Sequence, residues 1–399
     1  MSQLMDGPAA FEMIGRFSAE SVPAVSRFAA FRRAVLDPDG AECAFRHAPD
    51  RIVDVVPQGL VVDRTIFGEG QPAIAGLRDE PRHRLAQVVS LVLRDAVLAP
   101  DSMAVLSETR GFFEPSVNNL AVWNNRLSSI DPNFRDAGPG AWTLAEPDAA
   151  MPYVDAVAMP VVGVGGSNYR HFLYDGLAAV VLHRRLLGAA VRAAGRVLLP
   201  WQAEILAALG LLDDYITLDR PTRFRKILTS TMLSFTVSYP NRFVRTVFDQ
   251  MRFQLGGAPG GARRVMISRD EATNRRIMDH RDVIEAIAVA QGFEIVRPAE
   301  LSVAAQVRMF ASARWVIGES GAGLANIGFC PPGASVLELQ PDRFSDGWTR
   351  AACHLLGLRW HGLFARSEPE GAEGMPGEFH FEIEPDTFRA ALAVLLGPG

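Results

Sequence analysis

Residues 315–340 read WVIGESGAGLANIGFCPPGASVLELQ, and this stretch decides the fold class. Trp315–Gly318 is an apolar run of strand length. Glu319–Gly323 is a turn of small residues, Leu324–Phe329 a short helix, Pro331-Pro332-Gly333 a break, and Ser335–Leu339 a second apolar strand. Two buried strands joined through a helix make a parallel unit. A glycine-rich turn entering a helix leaves backbone N–H groups free and adds the positive end of the helix dipole. It also removes side chains that would keep an anion away. The functional reading is a site for a phosphate-bearing substrate. The plainer reading gives the glycines tight strand–helix packing alone.

Working outward, the alternation covers the whole second half. Arg264–Ser268 reads as a strand, Asn274–Gln291 as a helix, Phe293–Arg297 as a strand and Val303–Ala313 as a helix. After the glycine turn come a helix at Gly347–Leu356, a strand at Arg359–Leu363 and a closing helix at Asp386–Leu396, expected to cross back toward the first half. Upstream, Gly256–Ala262 (GGAPGGA) reads as a flexible linker. Before it lie a strand at Val157–Val164, a helix at Asn168–Leu187, a strand at Arg196–Leu199, a helix at Gln202–Leu209 and strands at Tyr215–Leu218 and Phe224–Thr229. A helix at Pro240–Gln254 follows. Residues 1–150 are harder to read: short strands within Arg51–Ile74, helical spacing over Pro81–Leu98, and loops. The expectation is α/β, with an irregular lead-in at 1–150 and open α/β domains at 151–255 and 256–399. Two open sheets of this kind hold ligands beyond the carboxyl ends of their strands.

Composition limits the function. The chain has 399 residues, 48% hydrophobic and 21% charged, which is a globular protein with sizeable cores. A net charge of −5, with both signs interspersed, argues against a nucleic-acid binder. Three cysteines (Cys43, Cys330, Cys353) without metal spacing point to a reduced, intracellular setting. The first residues lack a signal-peptide pattern, and no run is long enough to span a bilayer, so a cytoplasmic location is expected, with peripheral membrane contact left open.

Three constellations carry chemistry. NYRHFLYD (168–175) puts His171 and Asp175 four apart on one helix face, with Asn168 as N-cap, an arrangement suited to taking a proton from a hydroxyl. Its plainer reading is a cap plus an Asp175–arginine pair. In RRVMISRDEATNRR (263–276), Ser268 and Arg269 end a strand and Arg275 and Arg276 begin the next helix. Arg269 can hold a diphosphate, while Arg275 and Arg276 also read as a solvated helix face. The third is the turn Glu319, Ser320, Gly321, Ala322, Gly323 and Asn326, with Glu338 at the following strand's end. Glu338 suits either a ribose or an ion pair with Arg343. Glu319 is a lesser catalytic candidate, since an acid in a phosphate turn must point away. His183 and His280 read as surface groups. Asp37-Pro38-Asp39 reads as a plain turn rather than a metal site, so no metal is expected.

Together the three motifs resemble glycosyltransferase family 61. NYRHFLYD is similar to its N-x-x-H-x-x-x-D, ISRDEATNRR to its S-R-x-x-A-x-x-R-R, and GESGAGLANIGFCPPGASVLEL to its G-x-H-G-A-G-L-x-N motif with a later glutamate. The departures are Ser320 in place of the usual histidine, Asp279-His280 in place of Asn-Glu, and Ala305-Gln306 in place of Glu-Gln. The resemblance implies two facing Rossmann-like domains (GT-B type) and inverting transfer from a nucleotide-sugar donor to a glycan or glycolipid acceptor. It implies work on bacterial surface polysaccharide and no cofactor beyond the co-substrate. It also implies Asp175 or His171 as base, with Arg269, Ser268, Ser320 and the Gly321–Gly323 amides on the nucleotide. The rival readings are a sugar-nucleotide epimerase and an inactive glycan or nucleotide binder.

Overall fold

A computed structural model describes residues 16–47, 52–54, 66–67, 82–84, 88–107, 109–113, 116, 127–138, 141–145, 151–161, 166–233, 240–241, 243–269, 276–342, 347–369 and 379–397. It is a mixed α/β protein. The chain forms two compact units, one from 1–50 with 86–237 and one from 51–85 with 238–399.

In the first unit, β1 (Cys43–Arg46), β2 (Val89–Leu98), β3 (Tyr153–Pro160), β4 (Val191–Gly195) and β5 (Thr222–Ser230) belong to one ten-stranded sheet. Its parallel part runs β5, β3, β4 and the short strand Ile216–Thr217. β3 comes first in the chain and β5 last, yet they are neighbours, so the direction of winding reverses between them. β2 continues the sheet antiparallel to β5, from Leu98↔Thr222 to Ser90↔Ser230. The sequence reading took Pro81–Leu98 as a helix. VVSLVLRDAVL fits both periods, and the pairing with β5, whose partners lie 124 to 140 positions downstream, decides for the strand. Lys226 of β5, fully buried, donates from Nζ to the carbonyls of Ala34 and Asp37, at the C-terminal end of α1 (Phe28–Leu36). That satisfies carbonyls the helix leaves open. The strand expected at Arg196–Leu199 is instead β4. Residues 196–199 are the loop that leads into α3 (Pro200–Ala208).

The second unit holds β6 (Arg263–Ile267), β7 (Glu294–Val296), β8 (Ala313–Glu319), β9 (Ser335–Pro341) and β10 (Arg359–Ala365) in a parallel sheet of order β7-β6-β8-β9-β10. The short strand Ile66–Phe67 adds parallel to β10, so part of the lead-in completes this sheet and not the first. Here the winding reverses between β6 and β8. Helices α4 (Val244–Gln254), α5 (Arg281–Ala290), α6 (Val303–Ala311), α7 (Trp348–Leu356) and α8 (Pro385–Leu396) belong to the same unit.

Three expectations are corrected here. α4 and the glycine segment after it lie within the second unit. Phe248 of α4 packs edge-on against Phe329 with ring centroids 4.9 Å apart, and Gly257 lies where a Cβ would meet Val307 of α6 at 3.0 Å. α8, expected to cross toward the first half, packs inside the second unit: Phe388, Ala391, Leu392 and Leu395 fill its core beside Leu337, Leu339 and Leu363. The helix expected from Asn274 begins at Arg281. Arg276–Asp279 is a strand paired in parallel with Phe379–Glu382, a partner 103 residues away that helical spacing cannot reveal.

Candidate active site

The first cluster forms where the chain leaves β3. Asn168 is extended (φ −85°, ψ 124°), and its Oδ1 accepts from the N–H groups of Arg170 at 3.0 Å and His171 at 3.4 Å. This N-cap starts one α-helical turn (Tyr169–His171), followed by a π-helical turn (Phe172–Gly176) and α2 (Leu177–Leu187). Wide π turns recur at functional sites. α3 clamps the entry: Gln202, buried, donates from Nε2 to the Gly166 carbonyl at 2.8 Å, and Trp201 packs edge-on against Tyr169 and Phe172 at 5.4 and 5.1 Å.

His171 Nδ1 lies 2.7 Å from Asp175 Oδ2, and Arg170 Nη1 lies 2.8 Å from the same ring nitrogen. A carboxylate only accepts and a guanidinium only donates, so the two contacts ask for opposite tautomers. The shorter, charge-assisted contact is assigned to Nδ1–H donating to Asp175. Nε2 is then the unprotonated ring nitrogen, the one able to take a proton. Asp175 orients the ring and stabilises its protonated form, while Arg170, 3.7 Å from the same carboxylate oxygen, adds a second cation. His171 and Asp175 are the two acid–base candidates of the sequence reading, and the structure joins them in one hydrogen bond. Arg170 was not singled out, although it lies inside the same motif.

The second cluster lies at the reversal between β6 and β8, beyond their carboxyl ends. Ser268 and Arg269 follow β6, Glu319 ends β8, and Ser320 and Gly321 come next. Arg269 Nη1 donates to the Ser320 carbonyl at 3.0 Å. Gly321 is extended (φ 160°), and a Cβ there would meet Arg269 Nη1 at 2.9 Å and Cζ at 3.0 Å. It is the close approach of the guanidinium, not the φ, that favours glycine here. Ala322 and Gly323 open the 3₁₀ helix Ala322–Phe329 that was read as a helix from Leu324.

Glu319 is held by Arg281. It is 3% exposed, and Oε1 accepts from Arg281 Nε at 3.0 Å. Arg281 Nη1 also donates to the Arg269 carbonyl at 3.1 Å. Among the described residues, Arg281 and Arg269 both lie close enough to act on this carboxylate or be acted on by it. Burial holds the Arg269 guanidinium below the usual arginine value, with Glu319 opposing and Arg281 reinforcing that shift. Arg281 was missed because it lies 38 positions from Glu319 and outside the arginine motif. Ser268 and Ser320 are 3% and 2% exposed, and neither hydroxyl has a hydrogen-bond partner among the described residues.

The remaining candidates serve the scaffold or fall outside the described residues. Asn326 Nδ2 donates to Gln306 Oε1 at 2.9 Å and to the Gly323 carbonyl at 3.2 Å, which ties the turn to α6. Glu338 is fully buried, with Thr349 Oγ1 on one oxygen and Trp360 Nε1 on the other, both at 2.8 Å, and so does not present itself to a ribose. Arg275 and Arg343 lie outside the described residues, and Arg276 opens a strand, not a helix.

His183 corrects another expectation. It is fully buried on α2, its Nδ1 donates to the Ala179 carbonyl at 2.7 Å, and its Nε2 accepts from Ser90 Oγ at 2.6 Å. Ser90 in turn accepts from His47 Nε2 at 2.8 Å. Burial pulls His183 down to about 4. The chain His47–Ser90–His183 pins α2 to β2. His280 is exposed, as read, in the left-handed region (φ 51°).

Residues 169–337 match the family model described as Glycosyltransferase 61. No curated protein matches the chain. The match begins at the capped helix start, takes in the Arg269 strand end and the glycine turn, and stops one residue before Glu338. The match covers 169 of the chain's 399 residues, and over that stretch the chain is similar to the glycosyltransferase 61 family, whose description names the transfer of a glycosyl group.

Proposed function

We propose that the second unit binds a nucleotide-diphosphate sugar and that the first activates the acceptor hydroxyl. The observation that carries this reading is the location of both clusters, each at the winding reversal of its own sheet, where open α/β sheets take ligands. Arg269 and the N–H groups of Gly321, Ala322 and Gly323 hold the diphosphate and stabilise the charge that develops on the leaving group. Ser268 adds a neutral donor. His171 Nε2 takes the acceptor's proton as its oxygen attacks the anomeric carbon from the face opposite the diphosphate, with inversion. Asp175 keeps the ring in the required tautomer. Arginine and backbone N–H groups, not a metal ion, offset the leaving group's charge in this account.

A GT-B arrangement of the two units, a bacterial surface glycan or glycolipid as acceptor, and work at the inner face of a membrane are parts of the same proposal, supported by the family resemblance. A thermal-shift screen against UDP-, GDP- and CMP-sugars tests it. One donor at about 100 times its dissociation constant adds about 2.7 kcal/mol of stability. Turnover of that donor then rises when acceptor glycan is added. No shift with any nucleotide or nucleotide sugar contradicts the reading.

A further inference from the structure

A second row of polar groups lies beside the phosphate turn. Glu319 pairs with Leu339 across β8 and β9, and the Ser320 N–H donates to the Leu339 carbonyl at 2.9 Å. In a parallel ladder that bond places Ser320 opposite Gln340, on strands about 4.8 Å apart. Along β9 the side chains alternate. Leu337 and Leu339 enter the core with α8, so Glu338 and Gln340 share the other face. Glu338 is already held by Thr349 and Trp360. Gln340 is not held in the same way. It is 1% exposed, and its Oε1 has no hydrogen-bond partner among the described residues, like the Ser320 hydroxyl in the same row.

A buried carbonyl oxygen without a donor is costly, and native structures carry few of them. The chemistry that satisfies this pair is restrictive. Gln340 Oε1 needs a donor, and Ser320 Oγ can give or take a hydrogen. A hydroxyl group answers both, donating to Gln340 and accepting from Ser320. A phosphate oxygen only accepts, so it cannot serve Gln340 Oε1. Resting on the donor reading above, we infer that Gln340 and Ser320 form a hydroxyl-recognition subsite of the donor, next to the diphosphate held by Arg269 and Gly321. Gln340, not Glu338, is then the residue of β9 that reads a sugar ring. The hydroxyl comes from either the ribose or the transferred sugar.

Titration calorimetry on the full chain tests this with UDP, GDP, their 2′,3′-dideoxy counterparts, UDP-glucose, GDP-mannose and inorganic pyrophosphate. The variants are Gln340→Met, which keeps the side chain's length, and Ser320→Ala. A ribose hydroxyl predicts about tenfold tighter binding of the ribonucleotide than of its dideoxy counterpart in the wild type, a difference that Gln340→Met removes. A hydroxyl of the transferred sugar predicts about a tenfold loss in Gln340→Met for the nucleotide sugar alone. Pyrophosphate affinity is unchanged by either substitution. Equal affinities of wild type and Gln340→Met for every nucleotide and nucleotide sugar overturn the subsite while leaving the donor reading intact. A wild-type chain that binds none of these probes overturns both. If Gln340→Met fails to fold, the wild type decides by comparison across the probes: an affinity indifferent to the dideoxy change and to the added sugar rules the subsite out.

Discussion

His171 and Asp175 lie four residues apart on one helix, whereas Arg269 and the Ser320 carbonyl it touches are 51 positions apart. The first cluster is local. Its acid–base pair, His171 and Asp175, keeps side-chain exposures of 14% and 13%, and its geometry follows from one cap and one helical turn. The second is assembled by topology. β6, β8 and α5 each bring one part of it, and its ion pair is almost sealed from water, with side-chain exposures of 9% for Arg281 and 2% for Glu319. The difference fits the division of labour proposed for them. A base must meet a hydroxyl that arrives from solvent, so it stands at an accessible helix start. A diphosphate needs preorganised positive charge, which is strongest where water is excluded.

The contrast can be broken most forcefully at the ion pair. Glu319→Ala leaves Arg281 buried without its carboxylate partner, and losing one member of such a pair costs about 3–5 kcal/mol. Chemical denaturation reads this directly. A change under about 1 kcal/mol would show that the pair is not the organiser of the second cluster.

Acid should blur the contrast, because each unit carries a histidine that burial holds well below its ordinary value. Burial lowers both His183 and His361 to about 4. Their unfolded forms bind a proton near pH 6.5, and the folded forms do not until about pH 4. Stability is therefore complete above pH 6.5, falls as the pH drops toward 4 and levels off below, by roughly 3 kcal/mol for each histidine. Replacing His183 by Gln should flatten part of that slope. An unchanged slope between pH 6.5 and 4 would mean that His183 titrates normally.

At the small end, Asn168→Ala removes a side-chain cap from a helix that packing already holds. It should cost about 1 kcal/mol and leave nucleotide affinity alone. A loss of several kcal/mol would mean that the Asn168 cap holds more of the first unit together than two N–H contacts account for.

The same contrast explains how much could be read in advance. The strand, turn, helix and strand of residues 315–340 are all present as β8, the turn, the 3₁₀ helix and β9, because apolar runs and glycines fix them locally. The His171–Asp175 pair was visible as a spacing. What was not visible depends on partners far along the chain. β2 becomes a strand through β5, Arg276–Asp279 through Phe379–Glu382, and Ile66–Phe67 joins β10. Arg281 and Gln340 gain their meaning from a winding order that periodicity does not encode. Glu338 was misjudged for the same reason. Its strand-end position suits a ribose, but Thr349 and Trp360 close over it.

The central claim is that binding and chemistry are carried by separate clusters. The direct test measures nucleotide affinity and single-turnover sugar transfer together in the wild type, Arg269→Ala, His171→Ala and Asp175→Asn. Arg269→Ala should weaken nucleotide binding by about tenfold or more, as expected for a lost charge-assisted contact. His171→Ala and Asp175→Asn should bind nucleotide like the wild type and transfer about 10²–10⁴-fold more slowly. Wild-type nucleotide affinity in Arg269→Ala, or near-wild-type transfer in both first-cluster variants, would contradict the account.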